Sequence, residues 1–389
     1  MKVGITDFIP EKLRIAREIR GYNQTQLEAI SEVSKATISK WENGEQSPSF
    51  ANLEKVSSAL NFPMGWFIDS EEIQDNAAYF FRTLKRSTPV FRNIAKSKLL
   101  VASIIKEKLD NWLEFTPLDI PTDIYVENYN TLSSQDIENI ANQCREYWQL
   151  GLAPISNMIE LLESIGVVVV KDNLGSSDID GVSNWFQNTP YVFLAADKEN
   201  TPRSRFDAAH ELAHIILHRN IPNNEYDYTV PNLKKNEKER LRKNYDLIEK
   251  QAHLFASAFL MPAESISYHL TYPSLEKLLV LKRKWKVSVM ALIMRAGSLK
   301  LISDDKKAQL FKNYSARGWR TKGEPLDEVF LPEYPQLFSD AIDVLVSEGG
   351  LSVDGLKDIF NLSNQDISSL CNLPQGFFEK KSKIIRFRK

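Results

Sequence analysis

The sequence predicts a multidomain, mainly α-helical protein with one small β-sheet, and three observations carry that prediction. Residues 8–67 repeat short helical periods between cap-forming residues and glycines. One stretch, from Pro154 to Asn200, has the apolar run and the alternation of strands. From Pro202 helical periodicity returns and persists to about residue 378. At 389 residues the chain is too long for one ordinary core. The pattern divides it into an all-α unit over 1–70, a helical connector over 71–150, an α+β unit over 151–300, and a helical extension over 301–389 that ends in a basic tail.

Composition narrows the class. Hydrophobic residues make up 43% and charged residues 26%, a soluble globular balance. With 49 basic against 51 acidic residues, the overall charge favours no class of partner. Cys144 and Cys371 lie far apart and in no ligand-like spacing, so neither a disulfide framework nor a cysteine metal site is implied. The first residues, MKVGITDFIPEKLR, lack a signal-peptide apolar run, and no stretch reaches the length of a membrane helix. The expectation is a cytoplasmic protein with no membrane partner.

From Phe8 to Phe67 five short helices are predicted. Leu13, Ala16 and Ile19 form the inner stripe of the first, and Gly21 ends it. Asn23 is placed to cap a second helix through Ser31, with Leu27 and Ile30 inward. After Glu32 and Val33, Ser34 caps a third helix, KATISKWEN, which Gly44 ends. Ser47 and Pro48 begin a fourth, whose Leu53, Val56 and Leu60 pack back. This is a helix-turn-helix pattern, in which the second of the paired helices enters the DNA major groove.

The order NQTQLEAISEVSKATISKWENGEQSPS resembles the lambda-repressor-like, or XRE, family of DNA-binding domains. The resemblance implies double-stranded operator DNA as a partner. It places Gln24 at the start of the positioning helix near the phosphate backbone, and Lys35, Ala36, Thr37, Ser39 and Lys40 on or beside the base-reading face. Val33, Ile38 and Trp41 are then core. Residues 1–70 hold eight basic and nine acidic residues, so long-range attraction to phosphate is weak, and protein interaction through the same fold is the alternative.

In the connector, a helix is predicted from about Pro89 to Glu114, broken at Pro117 and Pro121. Its Lys96, Lys98, Lys106 and Lys108 form a basic face, read as solvated surface before it is read as a binding stripe. A further helix over Ser133–Leu150 carries Ile137, Ile140, Cys144 and Trp148 inward. In the third unit, ISNMIELLESIG has a helical period with a glycine stop, and VVVVK is an apolar run suited to a buried strand. NLGSSDIDGVSNWF and NTPYVFLAADKE read as a strand pair after an Asp-Gly turn.

The chain then enters RSRFDAAHELAHIILH, from Arg203 to His218. Residues four apart share a helix face, so His210 and His214 can present two imidazole nitrogens to one point, with Glu211 beside them. Zinc takes about four ligands, and a catalytic site supplies three from protein and leaves one position for water. A carboxylate next to that position can take the water's proton. The five-residue pattern also occurs as ordinary helix surface, but Phe206, Ala209, Ala213, Ile216 and Leu217 give this segment the apolar face of a buried helix.

A later helix, NYDLIEKQAHLFASAFLM, supplies the missing carboxylate. Ile248, Ala252, Phe255, Ala256 and Phe259 form its buried stripe, and Glu249 lies at a spacing that lets it face a metal. Together, DIDGVSNWF, RSRFDAAHELAH and EKQAHLFASAFLMP resemble the ImmA/IrrE family of zinc metallopeptidases over about 154–262, and more loosely through WKVSVMALIMRAG and GWRTKGEP. The resemblance implies an α+β zincin-like metallopeptidase domain with Zn2+ as cofactor, His210, His214 and Glu249 as its ligands, and Glu211 as general base. The family has Asn or Asp four residues after the ligand glutamate, where this chain has His253. His253 is read as orienting a ligand histidine, with simple packing or service as an alternative ligand left open.

Other positions stay open. His218 continues the His214 face and is either near the site or a helix-end cap. His269, Tyr226, Tyr228 and Tyr245 are candidates for stabilising a charged tetrahedral intermediate. Residues 219–243 are read as solvated helix and loop, with a mobile flap as the alternative.

The combined expectation is a DNA-associated regulatory zinc metalloprotease, acting on a repressor or antitoxin-like protein in a stress, mobile-element or phage-defence response. A homodimer is compatible with the first domain. The alternatives are a non-enzymatic transcription regulator that uses the peptidase fold as a sensor or partner-binding module, and a toxin–antitoxin component whose helix-turn-helix domain neutralises its own zinc domain.

Overall fold

The structure, a computed structural model, describes residues 4–69, 80–81, 88–124, 126–176, 178–198 and 200–379. The basic tail expected after residue 379 lies outside that range. The first unit is built from α1 (Pro10–Ile19), α2 (Gln24–Ser31), α3 (Lys35–Glu42) and α4 (Phe50–Leu60). Its local signals act as the spacing predicts. The Asn23 side chain accepts from the Gln26 amide while Gln26 reaches back to Asn23, a reciprocal box that starts α2. Ser34 Oγ accepts from the Thr37 amide and starts α3.

Two expectations are corrected here. Ile30 is 46% exposed, because Ser31 takes the inward position one turn after Leu27 and its hydroxyl donates to the Leu27 carbonyl at 2.7 Å. The fourth helix starts at Phe50 behind Ser49, and in place of a fifth helix a 3-10 turn over Met64–Phe67 closes the unit. Trp66 in that turn is fully buried, and its indole N–H donates to the Lys12 carbonyl at 2.9 Å.

The connector helix α5 (Pro89–Asp110) packs along α1 and under the sheet. Its lysines are held within the chain. Lys98 pairs with Asp172, Lys106 with Asp110, and Lys108 with Asp69 at 2.6 Å and the Ile359 carbonyl at 2.7 Å. After α6 (Ser134–Tyr147) and α7 (Met158–Ser164) comes the sheet. With the two-residue β1 (Phe80–Phe81), β2 (Val168–Asp172), β3 (Gly181–Phe186) and β4 (Thr189–Ala195), its order is β1-β3-β4-β2. β2 runs parallel to β4, β3 and β4 form an antiparallel hairpin, and β1 pairs with the outer edge of β3 at Val182 and Ser183.

The sheet is covered on both faces, which explains the unbroken VVVV run. Val168, Val170, Val182 and Phe193 belong to the core shared with α5, whereas Val169, Val192 and Leu194 belong to the core shared with α8 (Thr201–Leu217). α9 (Lys235–Leu260) is 26 residues long and lies across α8 and α6. It begins nine residues before Asn244, so the charged LKKNEKERLRK stretch forms its first turns and not a flap.

Four helices, α10 (Ala263–Leu270), α11 (Leu275–Trp285), α12 (Val289–Ser298) and α13 (Asp304–Ala316), extend the α8 core, followed by the short α14 (Trp319–Lys322). Glu324, in the GWRTKGEP stretch, accepts from the Val289 and Met290 amides at 2.7 and 3.1 Å and from Lys282 Nζ at 2.9 Å, closing the N-terminus of α12. The last helices, α15 (Leu337–Ser347), α16 (Gly355–Phe360) and α17 (Asn364–Leu370), return to the α5 core. There Arg20 grips Asp366 through two nitrogens at 2.6 and 2.7 Å and also donates to the Leu60 carbonyl at 2.8 Å. Among the described residues no helix is long and apolar enough to cross a membrane. Both cysteines are buried and free, and burial pushes the Cys144 thiol up to about 12.

Candidate functional site

Helix α8 is held from both ends. Asn200 caps it by accepting from the Arg203 amide at 3.0 Å, and Pro202 sits in its first turn. Arg205, fully buried, pairs with Glu333 and donates to the Ile155 carbonyl at 2.6 Å. Every residue from Asp207 to Leu217 is buried, so the histidine pair lies inside the molecule and not on helix surface.

The Nε2 atoms of His210 and His214 are 3.1 Å apart. Where α9 crosses α8, the two oxygens of Glu249 lie 3.5 Å from His210 Nε2 and 3.4 Å from His214 Nε2. Ligand atoms held tetrahedrally at zinc distances of about 2.0–2.1 Å are separated from one another by about 3.3–3.4 Å. The two imidazole nitrogens, each with its nearest oxygen of the same carboxylate, are thus spaced as a zinc-sized ion requires, and the donor set, two imidazoles and one carboxylate, suits it chemically.

His253 sits on the outer side of this cluster. Its ring meets His210 edge to face with centroids 4.6 Å apart, its Nδ1 lies 2.7 Å from the Glu249 carbonyl oxygen, and it is exposed. His210, Glu249 and His253 also present ligand atoms within 4.8 Å of one another. His214 Nε2 also faces this group, 3.1 Å from His210 Nε2 and 3.4 Å from the nearer Glu249 oxygen.

Glu211 is fully buried beside the pair. Ser183 on β3 donates its hydroxyl to Glu211 Oε2 at 2.7 Å. Gly181 opens the same strand, and a Cβ built there would stand 2.7 Å from Glu211 Oε1. A side chain at this position would displace the carboxylate, and glycine leaves it where it is. Asp180 ties the strand to α8 by accepting from Arg203 at 2.7 Å and from Lys198 at 3.0 Å.

Behind His214 lies a buried polar chain. His214 Nδ1 is 3.0 Å from His218 Nδ1, His218 Nε2 is 3.1 Å from Gln251 Oε1, and Gln251 Nε2 donates to the Tyr129 carbonyl at 2.7 Å. Burial, reinforced by the neighbouring His214, holds the His218 pKa well below its ordinary value, so this imidazole is neutral. In front, a cleft of about 610 Å³ opens past Phe206 and His253, floored by Leu254, Met290, Met294 and Trp319. Of the other candidates for charge stabilisation, the Tyr226 hydroxyl donates to Asn223, the Tyr228 and Tyr245 rings meet edge to face in the α5 core, and His269 lies on the surface beside Lys284.

On the helix-turn-helix, Lys35, Ala36 and Lys40 are exposed and Thr37 and Ser39 half-buried, along one side of α3, while Ile38 and Trp41 are buried on the other. Gln24 is half-buried, and its amide donates to Glu42 at 2.9 Å. Glu42 is gripped in turn by Arg17 at 2.6 Å. Gln24 thus links α2 to α3 through a charged pair.

Comparison with known proteins agrees with both domains. The family model of the IrrE N-terminal-like domain, a peptidase family, matches residues 162–296, and a helix-turn-helix family model matches residues 13–67. The chain joins an XRE-type helix-turn-helix domain to an IrrE-like peptidase-family domain. Its first part is similar to the HTH-type transcriptional regulator SutR of Escherichia coli (strain K12), 32% identical over 76 residues. That match covers 20% of this chain and 43% of the regulator, so the chain spans less than half the length of that relative.

Within the IrrE-like domain, sequence reasoning missed the partners that hold the site residues in place. Ser183, Gly181 and Gln251 lie inside the stretches DIDGVSNWF and EKQAHLFASAFLMP that carry the resemblance, but nothing in those stretches says which group each one holds. The glycine of DIDG was legible as a turn residue, but its approach to Glu211 depends on how the strand packs on α8. The Tyr129 carbonyl had no signal at all, since any residue supplies one.

Proposed function

We propose that this chain is a DNA-associated regulatory zinc metalloprotease of the cytoplasm. In this reading residues 1–70 bind double-stranded operator DNA, 71–150 connect, 151–300 carry the peptidase site, and 301–389 are a helical extension with a basic tail. The observation that carries the reading is the convergence of His210 Nε2 and His214 Nε2, 3.1 Å apart, on the two oxygens of Glu249 at 3.5 and 3.4 Å, with Glu211 alongside. We assign those three as ligands and Glu211 as general base.

When bound, the ion supplies Lewis acidity toward a water and a substrate carbonyl. Glu211 takes the proton from the water as a C–O bond forms at the scissile carbonyl, and passes it to the amine as the C–N bond breaks. Ser183 holds Glu211 Oε2, which fixes the orientation of the carboxylate through both transfers. Phe206, Met290, Met294 and Trp319 line the adjoining cleft, which suits an apolar side chain next to the cleaved bond. His253, packed on His210, keeps that ring from rotating. The substrate class is a repressor or antitoxin-like protein, and Lys35, Ala36, Thr37, Ser39 and Lys40 read the operator from the outer side of α3, with Gln24 at the backbone.

The deciding experiment compares cells expressing the intact chain and Glu211→Gln. The variant should retain zinc, measured by elemental analysis, while a partner protein that is shortened or lost with the intact chain persists. Equal loss of that protein in both strains removes the protease assignment. It would leave a regulator that uses the peptidase fold for partner binding.

A further inference from the structure

We propose that His218, Gln251 and the Tyr129 carbonyl form a relay that decides which nitrogen of His214 carries its proton. The inference deepens the metal-site reading and rests on it for its function, though the proton placement stands on hydrogen-bond geometry and on the complete burial of His218, which disfavours a charged ring. A backbone carbonyl can only accept, so the Gln251 group 2.7 Å from the Tyr129 oxygen is the NH2 end of the amide. The Gln251 carbonyl oxygen then faces His218 Nε2 at 3.1 Å, and as it too can only accept, His218 carries its proton on Nε2. A neutral imidazole with a proton on Nε2 has a bare Nδ1. That bare nitrogen lies 3.0 Å from His214 Nδ1, which therefore donates. His214 Nε2 is left with its lone pair, and it is this atom that lies 3.4 Å from Glu249 and 3.1 Å from His210.

The placement of a proton on the α8 histidine is thus set by a backbone carbonyl in the connector, on the 3-10 turn over Tyr129–Thr131. Two buried groups, Gln251 and His218, transmit it, and reversing it turns the Gln251 carbonyl onto the Tyr129 carbonyl, two acceptors face to face. His218 and Gln251 are positioning residues: they touch no reacting atom and act through His214. Groups of this kind typically contribute about 10–100-fold in metal affinity.

The test uses the full chain and reads zinc affinity by competition with a chromophoric chelator, alongside thermal unfolding. His218→Phe keeps a ring of similar size and removes the acceptor, and Gln251→Leu breaks the next link. Each should weaken zinc binding about 10–100-fold. His218→Gln restores a carbonyl acceptor and should recover most of the loss. A second measurement needs no variant and no metal: long-range proton–nitrogen NMR of the histidines in the zinc-free wild type should show His214 protonated on Nδ1 and bare on Nε2. Wild-type zinc affinity in His218→Phe, or a His214 proton on Nε2, overturns the relay. A wild-type chain that binds no zinc but shows the Nδ1 proton instead removes the metal reading and keeps the proton placement.

Discussion

The reading helix α3 and the histidine helix α8 both carry short functional motifs, but they are supported in opposite ways. On α3 the functional side chains point outward, and the supports are local: Ser34 three residues from Thr37, and Asn23 three from Gln26. On α8 the functional side chains are buried, and apart from His218, four residues from His214, their supports come from β3, α9 and the connector through links that span 28 to 122 residues of sequence. A reading surface needs only a scaffold that presents it. A metal-binding, proton-transferring site needs its groups held to within a fraction of an ångström by neighbours that are themselves held.

The largest effect that sharpens this contrast is chemical. Glu211→Gln should lower cleavage of a partner protein by about 10²–10⁴-fold with the melting temperature little changed, measured on the purified chain once the partner is identified. A substantial loss of stability in that variant would mean that Glu211 serves the fold of α8 and not its chemistry.

Next in size is the buried side of the reading helix. Trp41 is 3% exposed, and Trp41→Ala should cost about 3–5 kcal/mol, read from the denaturant midpoint, and abolish DNA binding with it. A cost below about 1 kcal/mol would show that α3 is not anchored through its inner face.

A smaller effect lies on the seam where the two cores meet. Glu163 on α7 accepts from the backbone amides of Gln336 and Leu337, the entry to α15, at about 2.9–3.1 Å. Burial outweighs those bonds and pushes its carboxyl up to about 7. The folded chain therefore holds this proton more tightly than the unfolded chain, so stability is full below about pH 4.5 and falls as pH rises through about 7. The loss is on the order of 1–3 kcal/mol. Glu163→Gln should flatten that part of the melting-temperature profile, and an unchanged profile would show that the group does not link the halves.

The smallest effect on stability belongs to the outer face of α3. Lys40→Ala should leave the melting transition within about 0.5 kcal/mol of wild type. It should reduce the slope of log affinity against log salt by about 1 in a DNA titration. An unchanged salt slope places Lys40 away from phosphate.

Much of this contrast was legible before any coordinates. Caps and glycine stops are read over three or four residues, which is why α2 and α3 fall where Asn23 and Ser34 put them. Ile30 shows the limit: apolar character alone marked it as core, yet the one-turn spacing from Leu27 gave the inward position to Ser31. The lysines of α5 read as a solvated face because their partners, Asp172 and Asp69, lie far off in sequence.

By itself the sequence determined that this chain has a helix-turn-helix start, a small sheet followed by an HExxH helix, and a glutamate one helix later. Those features depend on residue type and on spacing within a turn or two. Only the tertiary structure decided which atoms meet: Glu249 across from two imidazoles, Ser183 and Gly181 against Glu211, and His218 within a buried chain ending at the Tyr129 carbonyl. The physical reason is that burying polar groups requires each donor to find an acceptor, and in a packed interior those partners come from wherever the fold brings a strand edge, an amide or a carbonyl within about 3 Å.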